Sequence, residues 1–114
     1  MRRETPERLH DIIEAAEYIE QFRPATRAQF DIDIQAQLAL TRLIEIIGEA
    51  ANHVDIRVRD VNPEVPWRQI IGMRNRVTHG YFDVDLDVLW DVISVEVPKL
   101  TPQIRAILDS FDQS

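Results

Sequence analysis

"LTRLIEIIGEAANHV", residues 40–54, decides the fold class. Leu40, Leu43, Ile44, Ile47, Ala50, Ala51 and Val54 recur at steps of three and four, so a helix gathers them on one broad apolar face. A face that wide has to be covered, and the flanking sequence holds more helices to cover it. Upstream, Thr26-x-x-Gln29 reads as a capping box. The segment from Phe30 to Val54 is then the longest helical stretch, with a short bend at Asp31–Asp33. Earlier still, Leu9, Ile12, Ile13, Ala16 and Ile19 form a second stripe. Thr5 is expected to cap that helix, with Pro6 at its first position and Pro24 ending it. Gly48 sits inside the long helix, where glycine costs about 1 kcal/mol against alanine. Close approach of another helix is the physical reason expected for it.

Downstream, residues 55–66 contain "NPEVP" and read as a loop. A helix is expected from Pro66 or Trp67 to His79, stopped by Gly80. Asp85 can cap the next one, which carries Leu86, Leu89, Trp90 and Ile93. Pro98 must kink or end it, and Thr101–Pro102 looks like a fresh cap and first turn. Ile104, Ile107, Leu108 and Phe111 complete the core. Trp67 and Trp90 are expected in the core or at a dimer interface. Strand signals are nearly absent: "VDIRVRDV" alternates but runs into Pro63. The reading is all-α, an up-and-down bundle of four to five helices, with residues 1–114 as a single domain.

Bulk properties agree. A chain of 114 residues fits one domain, and 45% apolar content supplies one modest core. Domains this small often complete their core by oligomerising. The absence of cysteine excludes disulfides, thiolate metal sites and thiol nucleophiles, and suits a reducing cytoplasm, the expected location. No apolar run is long enough to span a bilayer, and "MRRETPERLH" lacks the apolar centre of a secretory signal. No membrane association is therefore expected. The net charge of −7 disfavours nucleic acid overall, yet Arg57 to His79 holds five arginines against two acids. Arginine's planar fork suits phosphate.

The densest chemistry lies in "GMRNRVTHGYFDVD", residues 72–85. On a helix over 67–79, Asn75 and His79 share a face, and the long stem of Arg74 reaches the same edge. That combination offers an acid/base imidazole, a cation for charge building on phosphoryl oxygens, and an orienting amide. It suits phosphodiester cleavage through the ribose 2′-OH and calls for no metal. The plain alternative is a solvated Arg/His cluster at a helix end. Asp83-x-Asp85-x-Asp87 imitates a calcium loop, but Val88 and Ser94 stand where glycine and glutamate are needed. It reads as a capped helix start with solvated acids. A His79–Asp83 metal pair is interrupted by Gly80. His10 is expected to face Glu14, and His53 to sit near a helix C-terminus. Glu49 reads first as a free surface glutamate, with a pairing to Arg74 or Arg76 that would pre-set the arginine as the alternative.

Arg74-x4-His79, with polar Asn75 after the arginine, resembles the signature of HEPN-domain ribonucleases. Tyr81 extends it to the Arg-x4-His-x-Tyr form of the HepT toxins, which are paired with MNT nucleotidyltransferase antitoxins. "LIEIIGEAANHV" at 43–54, "VPWRQIIGMRN" at 65–75, "YFDVDLDVLW" at 81–90 and "VPKL" at 97–100 resemble further segments of that family, in order. The likeness spans residues 5–110. It implies a helical bundle forming a two-fold homodimer, with the arginine and histidine of both protomers facing a shared cleft. It implies a metal-independent RNA endonuclease with Arg74, Asn75 and His79 as catalytic residues and no cofactor. Arg68 and Arg76, on the same basic stretch, are the expected RNA-binding residues. The implied partner is a cognate MNT-type nucleotidyltransferase that neutralises the toxin by transferring AMP from ATP to Tyr81. The competing reading is a non-catalytic helical module that binds a nucleotidyltransferase, with or without nucleotide, through the same surface. The presence of Arg74, Asn75, His79 and Tyr81 together favours the enzyme.

Overall fold

The computed structural model describes residues 4–80 and 83–112, and these form an all-α bundle. Helix α1 (Thr5–Phe22) buries Leu9, Ile12, Ile13, Ala15, Ala16 and Ile19 against α3 (Ile34–Asn52) and α8 (Val97–Asp112). The cap of α1 differs from expectation. Glu4 holds the N-cap position, and the Thr5 hydroxyl instead accepts a hydrogen bond from the Asp55 N–H at 3.1 Å. That bond ties the start of α1 to the far end of α3. Arg23, before Pro24, turns extended and ends the helix, because proline disfavours helical backbone in the residue preceding it.

The expected bend near Asp31–Asp33 is a full break. Helix α2 (Arg27–Asp31) starts at Thr26, whose hydroxyl accepts from the Gln29 N–H. Asp33 then caps α3 by accepting from the Ala36 N–H at 2.9 Å. Phe30 is fully buried and packs on the Trp90 ring, with centroids 5.1 Å apart.

Residues 55–66 are not wholly a loop. Asp55 caps a short helix, α4 (Ile56–Asp60), by accepting from the Arg57 N–H. The Arg57 guanidinium also bonds this carboxylate, and together these contacts hold the Asp55 carboxyl down at about 2. Beyond it, Trp67 is buried and its indole N–H donates to the Asn62 carbonyl at 3.1 Å.

The last third departs most from the sequence reading. Helix α7 (Leu86–Asp91), capped by Asp85, runs through a π-helical turn (Val92–Glu96) straight into α8. The wider turn gives the Pro98 ring room in the first turn of α8. Thr101–Pro102 therefore starts nothing: Pro102 is inside α8, and the Thr101 hydroxyl donates back to the Val97 carbonyl. One continuous apolar stripe, from Leu89 through Ile93, Val97, Leu100, Ile104 and Leu108, holds this rod against the core. Among the described residues, no helix is long and apolar enough to cross a membrane.

Candidate functional site

The motif helix is broken. Helix α5 (Trp67–Ile71) and helix α6 (Met73–Val77) meet at Gly72, whose backbone lies near φ −89°, ψ 3°. Gly72 still donates to the Arg68 carbonyl, while its own carbonyl takes the N–H groups of both Asn75 and Arg76. The joint is thus a bend with shared bonds. It lets α5 lie against α3 while Met73 and Val77 of α6 reach the core. Gly48 makes the α3–α5 approach possible. A Cβ there would stand 3.3 Å from the carbonyl oxygens of Ile70 and Ile71, so the expected reason for this glycine holds.

The helix also ends sooner than His79. Thr78 is extended and forms an isolated antiparallel bridge with Val84. The His79 N–H donates to the Asp83 carbonyl at 2.8 Å, and the Asp85 N–H donates to the Val77 carbonyl at 2.7 Å. Asn75 and His79 therefore do not share a helix face as expected. Gly80 is not the helix stop either; it lies beyond the helix end with φ +130°, a conformation open to glycine. The hydrophobic side chains of Val77 and Leu89 pull both ends of the link inward, and this packing outweighs one further helical turn.

Arg74, Asn75, Thr78 and Gly80 line a groove of about 520 Å³, with Leu38, Thr41, Arg42 and Glu45 of α3 opposite and Val84 at its end. His79 is exposed and does not itself line this groove, although its chain neighbours Thr78 and Gly80 do. The partner of Arg74 is Glu45, at 3.4 Å, not Glu49. Glu49 lines an adjoining hollow with Asn52, Arg74 and Asn75, and its backbone carbonyl is bonded to the His53 ring.

Arg76 faces elsewhere. Two residues along a helix is about 200° around its axis, and Arg76 accordingly meets Glu96 of the π turn in a two-pronged contact at 2.8 and 3.1 Å. This bonding raises the Arg76 guanidinium above its usual range. The groove there is lined by Gln69, Met73, Lys99 and Gln103 and is separate from the one holding Arg74. Arg68 is exposed on α5 and lines neither groove. Tyr81 lies outside the described residues. Glu45 and Arg42 were missed from the sequence, although their spacing on one helix offered a signal: Arg42 and Glu45 are three apart, and Glu45 lies one turn before Glu49.

A helical bundle with an Arg-Asn pair in a groove, and a histidine just past the end of the same helix, is the architecture of a HEPN-like protein. The family described as Ribonuclease HepT-like matches residues 12–107, and the chain belongs to it. Among its relatives is the Probable ribonuclease HepT of Thermococcus cleftensis, 40% identical over 101 residues, covering 88% of this chain and 92% of that one. Putative RNase MJ1380 of Methanocaldococcus jannaschii is 32% identical over 100 residues, covering 87% and 92%. Putative RNase TTE0752 of Caldanaerobacter subterraneus is 35% identical over 101 residues, covering 88% and 90%. No solved structure gives a significant match.

Proposed function

We propose that this protein is a metal-independent RNA endonuclease and the toxin of a toxin–antitoxin pair. The observation that carries the reading is the groove that joins Arg74 and Asn75 to the residues on both sides of His79, in a member of the HepT-like family. Arg74 would stabilise the non-bridging phosphoryl oxygens as charge builds. His79 would take the proton of the ribose 2′-OH, whose oxygen attacks phosphorus. The bond from phosphorus to the 5′-oxygen breaks, a 2′,3′-cyclic phosphate forms, and the leaving oxygen takes a proton from an imidazolium. Asn75, beside Arg74 in the groove, would hold the substrate in place. All of these steps are proton transfers and charge stabilisation by side chains, so none requires a metal.

The reading includes a two-fold homodimer in which His79 of the partner subunit supplies the acid. Ile34 and Leu38 support a self-association surface: they lie four apart on α3, are 67% and 61% exposed, and Leu38 borders the groove. Neutralisation would come from a cognate MNT-type nucleotidyltransferase that adds AMP to Tyr81, two residues past His79. An added phosphate there would compete with RNA for Arg74. The cytoplasm is the compartment where RNA and ATP are both at hand.

The test is cleavage of RNA by the purified protein in EDTA. Cleavage should persist and leave a 2′,3′-cyclic phosphate, and His79→Ala should abolish it while the protein stays folded. Cleavage that stops in EDTA removes the metal-free mechanism, and full activity in His79→Ala removes the site. Sedimentation should report a dimer that Leu38→Glu disperses. Incubation with the transferase, ATP and Mg²⁺ should modify the wild type and not Tyr81→Phe.

A further inference from the structure

Glu45 does more than hold Arg74. Its two carboxylate oxygens face two different arginines: one oxygen lies 3.4 Å from Nε of Arg74, and the other 3.2 Å from an Nη of Arg42. Arg42 and Glu45 are three apart on α3, an ordinary helical pair, but Arg74 arrives from α6 across the groove. All three line that groove, with Thr41 and Asn75 beside them. Both arginine side chains are 64% exposed, whereas Glu45 is the more enclosed at 26%. The arrangement is a two-oxygen anion gripped by two cations at the floor of an open trough. A phosphodiester has the same recognition chemistry, with two non-bridging oxygens sharing one negative charge.

We propose that Arg42 and Arg74 form a clamp for a single phosphodiester of single-stranded RNA, and that the Glu45 carboxylate is the resident anion which the RNA backbone must displace. The proposal rests on the endonuclease reading and adds to it a second phosphate-binding arginine and a built-in competitor. Arg42 touches substrate in this arrangement, and Glu45 does not. When phosphate enters, Glu45 has to rotate away from the two guanidiniums. While it stays in place, it cancels one of the two positive charges and discourages weakly held anions. Glu45 thus sets a threshold for binding, and the threshold depends on charge and not on shape.

The experiment measures binding of a 2′-O-methylated RNA oligonucleotide, which binds without being cut, across a range of salt concentrations. Arg42→Ala and Arg74→Ala should each weaken binding by roughly tenfold. The double variant should be weaker than either single by much less than another tenfold, because both side chains hold the same phosphate. Glu45→Gln keeps the shape, removes the competing charge and should bind several-fold more tightly. Independent, additive losses would show two separate phosphates and overturn the single clamp. Weaker or unchanged binding in Glu45→Gln would overturn the competitor, and wild-type binding by Arg42→Ala would overturn the role of Arg42.

A second measurement separates this proposal from the endonuclease reading. Inorganic phosphate, titrated into protein with labelled arginine, should move the Nε–H signals of Arg42 and Arg74 together and leave Arg57 unmoved. That response in a protein that neither binds nor cuts RNA would retain the clamp and overturn the RNA reading. No response from either arginine would overturn the clamp.

Discussion

Arg74 and Arg76 sit two residues apart on the same short helix, and the fold gives them different surroundings. Arg76 is engaged by both oxygens of Glu96, which lies twenty residues along the chain on the π turn. It pins α6 to the α7–α8 rod. Arg74 has one longer contact to Glu45, keeps a more exposed side chain, and faces a groove whose lining includes both chain neighbours of His79. The sequence "RNR" presents two arginines with nothing local to tell them apart. The fold turns one arginine into a brace and leaves the other available for an incoming anion. A charged residue in a motif therefore has to be judged by what already satisfies it.

The comparison can be broken most decisively by activity. Arg74→Ala should lower RNA cleavage by about 100-fold or more, the usual effect of losing a group that stabilises transition-state charge. Arg76→Ala, assayed where it is fully folded, should retain most of the wild-type rate. Equal losses in the two variants would erase the distinction and restore Arg76 as an RNA-binding residue.

Packing offers the next largest effect. Gly48→Leu would drive a side chain into the carbonyls of Ile70 and Ile71, which a Cβ alone already meets at 3.3 Å. The expected cost is about 1–3 kcal/mol in denaturant unfolding. The displaced α5 should carry α6 with it, opening the Arg74 contact to α3 while the Arg76 contact to the π turn survives. A stability equal to wild type would mean that α5 is free to move and that the groove is not fixed by this approach.

A smaller effect sharpens the structural half of the contrast. Removing the two-pronged contact through Arg76→Ala should cost about 1 kcal/mol, kept low because both side chains remain partly solvated. Arg76→Lys should recover part of that, since an ammonium cannot match both oxygens. Thermal unfolding of the two variants measures this directly.

The smallest effect belongs to Asp55, whose ion pair is local and exposed. Its carboxyl is held below the usual 3.8, at about 2, by hydrogen bonds from Arg57. A carboxyl lowered on folding contributes stability above its unfolded value and loses it as pH falls through the folded one. The contribution should thus be complete above about pH 3.8 and vanish toward about pH 2. Asp55→Asn should show a shallower acid loss in that window, seen by circular dichroism, with RNA cleavage at neutral pH unaffected.

The amino-acid sequence by itself determined what acts within one helical turn. The apolar steps of three and four fixed the helical class. Thr26, Asp33 and Asp85 cap helices through hydroxyl or carboxylate bonds to N–H groups three residues on, and of these Thr26 and Asp85 were legible from type and spacing alone. Gly48 announced a close approach because a glycine inside an apolar helix has no local advantage. The motif residues themselves were plain. Their surroundings were not, because these depend on contacts between segments distant in sequence. The helix ends at Val77 because burying Val77 and pairing residues 77–79 with 83–85 outweighs one more turn. Pro98 and Pro102 lie within α8 because the π turn and the continuous apolar stripe favour an unbroken rod over a fresh start. Glu45 and Glu49 stand one turn apart on the same helix, and nothing local favours either as the partner of Arg74. Only the offset at which α5 and α6 pack across Gly48 brings Arg74 level with Glu45.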